Sequence, residues 1–277
     1  MNPVQKASWY VESHLRGDLS LDVIAKACHV SSYHLTRAFA ASVGISLMRY
    51  VRARRLSEAA QRLADGADDI LAIALDYGYG SHEAFTRAFR SQFGVTPEHV
   101  RAQGNVHELT LKEIITMNQT PSTELAEPTI QQMPEMHLAG LVQRYQCESP
   151  EGIPRQWERL GPHLGNVPGQ IGATAYGVIH EFDSDGNFAY LTGVEVKADA
   201  KLPSDFQRLT VPAQRYAIFT QSGHIAGIRA AFSAIWSQWL PESGLQAAEA
   251  PTVERYGQEF DPRTGLGGYQ IWLPIRS

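Results

Sequence analysis

Apolar residues recur with a helical period over the first hundred residues and with an alternating period after residue 128. Spacings of three and four residues predict α-helices, whereas alternation predicts β-strands with one buried face. The change of period therefore predicts a multi-domain chain, and a length of 277 residues suits two domains. We place an all-α domain at 1–105 and an α+β domain at 128–277. A linker rich in polar and turn-forming residues joins them over 106–127.

The helical part of the chain contains one pattern twice. At an offset of 50 residues, four positions of the first copy correspond to four of the second: Thr36, Arg37, Phe39 and Gly44 match Thr86, Arg87, Phe89 and Gly94. Each copy predicts a short helix, a turn and a second helix that ends at a glycine, where a positive φ is commonly required. The first domain is therefore expected to hold two helix-turn-helix motifs.

Polar residues share one face of the second helix in each copy, and in a helix-turn-helix motif that helix enters the major groove of DNA. The candidate base-reading residues are Tyr33, Thr36 and Arg37 in the first copy and His82, Glu83, Thr86 and Arg87 in the second. Arginine can bind guanine with two hydrogen bonds, and the threonine methyl can contact the methyl group of thymine. Glu83 would select cytosine or position Arg87. The alternative is a helical bundle in which the repeated residues only form the core.

A long helix is predicted between the two copies, over 46–66. One of its faces is apolar, and another carries arginines, of which Arg52 and Arg55 are the candidates for phosphate contact; the alternative is that they are merely solvated. A rigid connecting helix would hold the two reading helices for successive grooves about 34 Å apart. A monomer would then suffice on DNA, and a dimer would also be compatible.

The alternating part of the chain also contains a repeat. At an offset of about 78 residues, three positions correspond to three others: Pro134, Phe182 and Asp183 match Pro212, Phe260 and Asp261. Each copy predicts a strand, a helix and two further strands. Two such β-α-β-β units would form one antiparallel sheet, with both helices on one face and a concave cleft on the other.

Aromatic residues on the predicted strands, together with a carboxylate, define a candidate ligand cleft. Aromatic rings attract cations, and a carboxylate among them favours a cation over the desolvation that it suffers when the site is empty. Glu254 is the candidate carboxylate. The aromatic candidates are Tyr145, Tyr176, Tyr190, Tyr269 and Trp272. The alternative is that the aromatics form the core and that Glu254 lies at the surface.

Both halves of the chain resemble known families. The stretch DYGYGSHEAFTRAFRSQFGVTPEHVR, with its earlier copy, resembles the DNA-binding domain of AraC/XylS-type transcription regulators, which implies the base-reading assignments above. The stretches RYAIFTQSG, AIWSQWLP, VERYGQEF and YQIWLPI resemble the GyrI-like effector-binding domain. That resemblance implies a cleft for amphipathic or cationic aromatic compounds, with an acidic residue at Glu254. The order of the two domains is similar to the Rob-type regulators.

These resemblances imply a transcription regulator that binds double-stranded promoter DNA, a small-molecule effector and RNA polymerase. Two alternatives concern the second domain: hydrolysis of small molecules in its cleft, or a role only as a platform for protein interaction. The sequence contains no Ser/His/Asp, HExxH, P-loop or GxGxxG pattern. We therefore predict no catalytic residues and no enzymatic activity.

Charge and cysteine content add to this interpretation. Residues 1–105 hold 12 Lys and Arg against 10 Asp and Glu, whereas 106–277 hold 12 against 19. A mildly basic N-terminal part and an acidic C-terminal part are typical of a nucleic-acid-binding domain joined to another domain. Cys28 and Cys147 lie far apart without metal-ligand spacing, so we predict a reduced compartment, no metal site and no cofactor. No apolar run is long enough to cross a membrane, and the expected location is cytoplasmic.

Overall fold

The computed structural model describes residues 1–66, 69–115 and 125–276. The chain divides into two compact units, one formed by 1–35 with 47–120 and the other by 36–46 with 121–277. Within the predicted linker, residues 106–115 form neither helix nor strand, and residues 116–124 lie outside the described part of the chain.

Helices account for the chain before position 104. Within the residues described there, seven α-helices form: α1 (Pro3–Ser13), α2 (Leu21–Cys28), α3 (Ser32–Val43), α4 (Leu47–Ala64), α5 (Ile70–Asp76), α6 (His82–Phe93) and α7 (Pro97–Gln103). Helices α2 and α3 form the first predicted helix-turn-helix motif, and α5 and α6 form the second. The fold class of this domain is therefore as predicted.

Local sequence signals set the ends of these helices. The Ser20 side chain accepts a hydrogen bond from the amide of Val23 at the start of α2, and the Ser81 side chain accepts one from Ala84 at the start of α6. Such caps satisfy amides that have no partner within the helix. At the other end of α6, Gly94 adopts a φ of 77°, a conformation that glycine reaches without a steric penalty.

The second helix-turn-helix motif has its own apolar core. Phe85 and Phe89 of α6 are fully buried, and they pack in one cluster with Leu56 of α4, Ile73 of α5 and Val100 of α7. Helix α4 therefore supplies one wall of the motif, as its predicted apolar face requires. Burial of a side chain of this size contributes about 1.5–3 kcal/mol to folding.

A buried ion network that the sequence pattern does not reveal ties α1 to α4. Arg54 is 5% exposed, and its Nη2 lies 2.8 Å from Glu12 and 2.9 Å from Glu58. The hydroxyl of Tyr50 donates to the same Glu12 carboxylate at 2.6 Å. Arg54 also donates to the carbonyl of Lys112 at 2.9 Å, so the network fixes the segment that follows α7.

The second half of the chain forms one antiparallel sheet. The strands are β1 (Thr129–Met133), β2 (Met136–Gln146), β3 (Gln170–His180), β4 (Asn187–Val196), β5 (Gln207–Val211), β6 (Gln214–Gln221), β7 (Thr252–Tyr256) and β8 (Tyr269–Pro274). Their order in the described sheet is β1-β6-β8-β7-β3-β4-β2-β5. Helix α8 (Gly152–Leu160) follows β2, and α9 (Ile228–Ala234) follows β6 and continues as a π-helical segment, Ile235–Trp239.

The predicted duplication is visible in the strand order. The first copy contains β1 to β4, and the second contains their counterparts β5 to β8. If every strand is replaced by its counterpart, the same strand order is obtained, read from the opposite edge of the sheet. One detail of the prediction is wrong: the first strand of each copy is broken in two, at Pro134 and at Pro212. Proline cannot donate a hydrogen bond to a neighbouring strand. Strand β1 pairs with β6, and β5 pairs with β2. Each repeat therefore contributes one strand that pairs with a strand of the other repeat.

Both long helical segments of this domain cover the same face of the sheet. Leu160 of α8 packs in one cluster with Ala139, Leu141 and Val194, and Trp239 stacks edge-on against Phe219 at 4.8 Å. We call this the helix side of the sheet. The register places Tyr176, Trp272, Tyr216 and their buried neighbours on the other side, which we call the far side.

Candidate functional site

Glu254 lies on the helix side of the sheet, at the centre of the pairing between the two repeats. It is on β7 directly opposite Gly177 of β3, and it is 5% exposed. The expectation that it stands in a cleft on the face opposite the helices is wrong. Side chains alternate along a strand, and the register places Val253 and Arg255 on the far side. Glu254, which lies between them, therefore points towards the helices.

Two tyrosine hydroxyls hold the Glu254 carboxylate. Tyr190 of β4 donates to Oε2 at 2.5 Å, and Tyr256 of β7 donates to the same oxygen at 2.9 Å. The indole of Trp157, on α8, donates in turn to the Tyr190 hydroxyl at 3.2 Å. We call Glu254, Tyr190, Tyr256 and Trp157 the carboxylate cluster. A buried charge requires such partners, and a network with all its members satisfied fixes their positions.

Tyr256 and Trp157 are not among the site residues predicted from the sequence. A signal for Tyr256 existed, since it stands two residues after Glu254 on the same strand and must share its face. No signal in the sequence identified Trp157, because its contact depends on how α8 crosses the sheet. Its ring lies edge-on to Tyr256, with 5.0 Å between the ring centroids.

Burial dominates the electrostatics of this cluster. It raises the pKa of Glu254 above the ordinary value, and the two tyrosine hydroxyls oppose that rise because they stabilise the charged carboxylate. Burial and the nearby Glu254 raise the pKa of Tyr190 and of Tyr256 well above the usual tyrosine range, so both remain donors. The same two causes raise the pKa of Tyr269 to about 12.

The backbone around Glu254 leaves room for its side chain. A Cβ built on Gly177 would lie 2.5 Å from Glu254 Oε2 and would collide with the Tyr190 hydroxyl. Thr192 stands opposite Gly177 on β4, and its buried hydroxyl has no hydrogen-bond partner among the residues that the structure describes.

Two further predicted residues lie beside the cluster. The Tyr145 ring packs edge-on to Tyr190, with centroids 6.4 Å apart, and its hydroxyl donates to Gln156 at 2.8 Å. Tyr269 lies on β8, and its ring centroid is 6.5 Å from that of Tyr256. The structure therefore brings together Glu254, Tyr145, Tyr190 and Tyr269.

Tyr176 and Trp272 do not belong to this group. They lie on the far side of the sheet, where their ring centroids are 6.4 Å apart in an edge-on arrangement. Along their strands, both are displaced by one residue from the positions whose side chains face the cluster. Tyr176, for example, pairs with Arg255 and not with Glu254. Residue type alone predicts Tyr176 and Trp272 as neighbours of Glu254, because it does not fix the register of the strands.

The described residues give no sign of a metal centre or a membrane-spanning segment. They contain no group of three or more His, Cys, Asp or Glu side chains that could hold a metal ion. Over the same ranges, the helices are too short or too polar to cross a bilayer.

In the second helix-turn-helix motif, the predicted reading face is open along part of α6. Glu83 and Arg87 are exposed. Hydrogen bonds from the backbone and from Ser81 lower the pKa of Glu83, as is usual for a carboxylate in the first turn of a helix. His82 Nε2 lies 3.0 Å from Glu98 of α7, whereas the Thr86 hydroxyl is buried without a partner among the described residues. Arg87 is thus the clearest donor on this face.

The first reading helix has different surroundings. Thr36 and Arg37 are only 6% and 5% exposed, whereas Tyr33 is partly exposed. Within the second compact unit, the Arg37 guanidinium lies 4.4 Å from the ring centroid of Phe182 and 5.3 Å from that of Trp236. The expected open face at Thr36 and Arg37 is therefore not observed, because cation–π contacts occupy the Arg37 guanidinium. Base reading by Thr36 and Arg37 stays a prediction.

The two arginines expected to contact phosphate differ. Arg52 is exposed on α4. Arg55 donates to the carbonyl oxygens of Leu15 at 2.9 Å and Gly17 at 2.6 Å, and burial lowers its pKa. Arg55 therefore anchors the loop between α1 and α2, and it is a weaker candidate for phosphate contact than Arg52.

Comparison with known proteins supports both halves of this description. Residues 126–276 match the GyrI-like small molecule binding domain, and residues 24–103 match a helix-turn-helix domain.

Three curated proteins illustrate the similarity. The chain is 29% identical to the transcriptional regulator Rob of Salmonella typhimurium, covering 92% of this chain and 90% of that protein. It is 30% identical to the transcriptional regulator BrlR of Pseudomonas aeruginosa, covering 70% and 77%. It is 36% identical to the multiple antibiotic resistance protein MarA of Salmonella typhimurium over 35% of this chain and 76% of that protein.

Proposed function

The chain belongs to the family of transcription regulators in which an AraC-type DNA-binding domain precedes a GyrI-like small molecule binding domain, and from this premise we propose how each domain acts. The N-terminal domain inserts α3 and α6 into successive major grooves of promoter DNA. The C-terminal domain binds an aromatic cation at the carboxylate cluster. A regulator that binds promoters acts on transcription by RNA polymerase, which is therefore a proposed partner.

The proposal for DNA rests on the duplicated helix-turn-helix motif. Two copies joined by the 18-residue helix α4 supply two reading helices in one chain. Arg87 is exposed in the first half of α6, and the N-terminal turns of a recognition helix are the part that faces base edges. Its guanidinium can bind guanine with two hydrogen bonds, and Arg52 can contact a phosphate.

The proposal for the ligand rests on one observation: a carboxylate that is 5% exposed is held among aromatic rings without a basic partner within the described residues. Burial of an unpaired carboxylate costs free energy, which a bound cation recovers. The surrounding rings of Tyr190, Tyr256 and Trp157 favour a cation with apolar aromatic groups through their π faces. An anion would instead be repelled by Glu254.

Binding can affect DNA recognition only if the ligand prefers one state of the protein over another. Such a preference is a coupling free energy between the two sites, and it acts equally in both directions. The effector would thus change the affinity for the promoter by the same factor as the promoter changes the affinity for the effector.

The experiment that tests the ligand proposal is a fluorescence titration with lipophilic aromatic cations. Wild-type protein is expected to bind, and Glu254→Gln, which removes the charge with almost no change of shape, is expected to bind at least tenfold more weakly. If no cation of a broad panel binds wild-type protein, the second domain serves protein interaction instead. Selection of bound sequences from random duplexes tests the DNA proposal, since two helices in successive grooves predict two half-sites about 10 base pairs apart.

A further inference from the structure

A pocket lies on the far side of the sheet, away from the carboxylate cluster. It has a volume of about 460 Å³, which is within the range of small-molecule sites. Tyr176, Trp272 and Ile218 contribute to its lining, and each is almost fully buried. Glu195 and Arg255 also line it and are only partly buried.

The two charged residues of this pocket have no ion-pair partner. Within the described residues, no opposite charge lies within 4 Å of Glu195 or of Arg255. Both charges nevertheless lie close to the Tyr176 hydroxyl. Burial raises the pKa of Tyr176, Glu195 adds to that rise, and Arg255 opposes it. The pocket thus presents one positive and one negative group near a single phenol.

A third polar group in the pocket is fixed in place. Gln270 stands next to Arg255 across the pairing of β7 and β8. Its amide oxygen accepts from the Trp272 indole at 3.0 Å, and its amide nitrogen donates to Thr220 at 3.3 Å. These bonds hold the Trp272 ring in its orientation before any ligand arrives.

We propose that this pocket binds an aromatic molecule that carries both a carboxylate and an ammonium group. The carboxylate pairs with Arg255, whose planar guanidinium suits two parallel hydrogen bonds to such a group. The ammonium pairs with Glu195, and the ring packs on Trp272 and Tyr176. The pocket therefore recognises a different chemistry from that of the carboxylate cluster, which offers a negative charge without a positive one.

The two sites are separate because adjacent side chains of one strand point to opposite faces. Glu254 points to the helix side, and Arg255, the next residue, points to the far side. A ligand on one side cannot touch the charged group of the other. Strand β7 nevertheless carries a residue of each site.

The test uses two indole probes and isothermal titration calorimetry on the full chain. L-Tryptophan carries both charges, and indole-3-propionate carries only the carboxylate. We expect both to bind wild-type protein with a Kd of about 1 mM or below. Arg255→Gln is expected to weaken both probes at least tenfold. Glu195→Gln is expected to weaken L-tryptophan at least tenfold and to leave indole-3-propionate unchanged.

Glu254→Gln is the control, and it is expected to change neither probe. Unchanged binding of a lipophilic aromatic cation to Arg255→Gln shows that β7 remains intact in that variant. Arg255→Lys, which keeps the charge, is expected to retain part of the affinity. The proposal is wrong if neither probe binds at about 10 mM, or if Glu254→Gln rather than Arg255→Gln removes binding. Either result leaves the proposal for the carboxylate cluster standing.

Discussion

Gly177 and Glu254 face each other directly across β3 and β7, and the space that the glycine leaves empty is the space that the carboxylate occupies. The two residues lie on counterpart strands of the two repeats, because β3 and β7 pair at the centre of the sheet. The duplicated fold has thus produced an asymmetric site: one copy supplies the charge, and the other supplies the room for it.

The first prediction concerns the space next to Gly177 that the Glu254 carboxylate occupies. In Gly177→Ala, the new methyl group would lie within 2.5 Å of Glu254 Oε2 and would also collide with the Tyr190 hydroxyl. We expect a loss of about 1–3 kcal/mol in the free energy of unfolding, measured by urea denaturation, because overpacking of a buried site costs that much. Binding of aromatic cations is expected to weaken in the same variant, since the carboxylate must move.

Gly223→Ala is the matched control for this substitution. A methyl group at Gly223 would meet no atom within 4 Å, and the glycine does not have a positive φ. We expect unchanged stability, or a gain of up to about 1 kcal/mol from the reduced entropy of the unfolded chain. If both glycine variants behave alike, the close packing at Gly177 has no energetic consequence.

A second prediction concerns stability and pH in Glu254→Gln. Burial raises the pKa of Glu254 in the folded protein above its ordinary value of 4.5. The folded state therefore holds this proton more tightly than the unfolded state does, and stability falls as pH rises from the ordinary value through the folded one. The glutamine side chain does not ionise, so Glu254→Gln lacks this loss of stability at high pH.

The variant should therefore melt at a higher temperature than wild-type protein at about pH 8, and the difference should shrink as pH approaches about 4. Differential scanning calorimetry across this range measures it. A variant that is less stable than wild-type protein at every pH would mean that the carboxylate is not under strain in the empty site. Greater stability combined with lost cation binding would identify a residue kept for function at a cost in stability.

The third prediction concerns Tyr256. Its hydroxyl stabilises the charged form of Glu254, so Tyr256→Phe should raise the pKa of Glu254 further. Binding of an aromatic cation requires the charged carboxylate, and the pH at which binding reaches half its maximum should therefore rise. Titrations at a series of pH values measure this midpoint. Tyr269→Phe is the control, since the described contacts of Glu254 do not include the Tyr269 hydroxyl.

The sequence predicted the elements of this protein better than it predicted their contacts. Both repeats were visible because duplicated residues recur at fixed offsets whatever their surroundings. The break at Pro134 was missed because an alternating pattern continues across it, and only the change of pairing partner reveals two strands. Such exchange of strands between repeats depends on tertiary pairing, which periodicity does not encode.

The same limit applies to the candidate residues. Glu254, Tyr190 and Tyr145 were predicted from residue type, since aromatic rings together with a carboxylate favour a cation. Assigning Trp272 to the same site failed, because a difference of one residue in register moves a side chain to the other face. Arg54 was missed for a related reason, since nothing in the sequence distinguishes it from its exposed neighbour Arg52.

Those two arginines provide the fourth prediction. Arg54→Ala should lower the free energy of unfolding by about 3–5 kcal/mol, because it leaves the largely buried Glu12 carboxylate without its cation. Arg52→Ala should change stability by no more than about 0.5 kcal/mol, since Arg52 is exposed. Urea denaturation of both variants gives the comparison. Equal effects on stability would contradict the distinct roles assigned to them.

The last prediction concerns Arg87, which is exposed on α6, the second of the two proposed reading helices. If its guanidinium binds a base, Arg87→Ala should weaken binding to a selected duplex by about 1–3 kcal/mol and relax selectivity at one position of the site. If it binds a phosphate instead, all sequences should weaken equally, and the slope of log affinity against log salt should fall by about 1. Arg263→Ala, at a side chain that is 88% exposed in the other domain, should change neither quantity. Fluorescence anisotropy on selected and scrambled duplexes at several salt concentrations separates these outcomes. If Arg87→Ala keeps wild-type affinity and selectivity, α6 is not a reading helix, because no other candidate base-reading residue on α6 combines a positive charge with exposure.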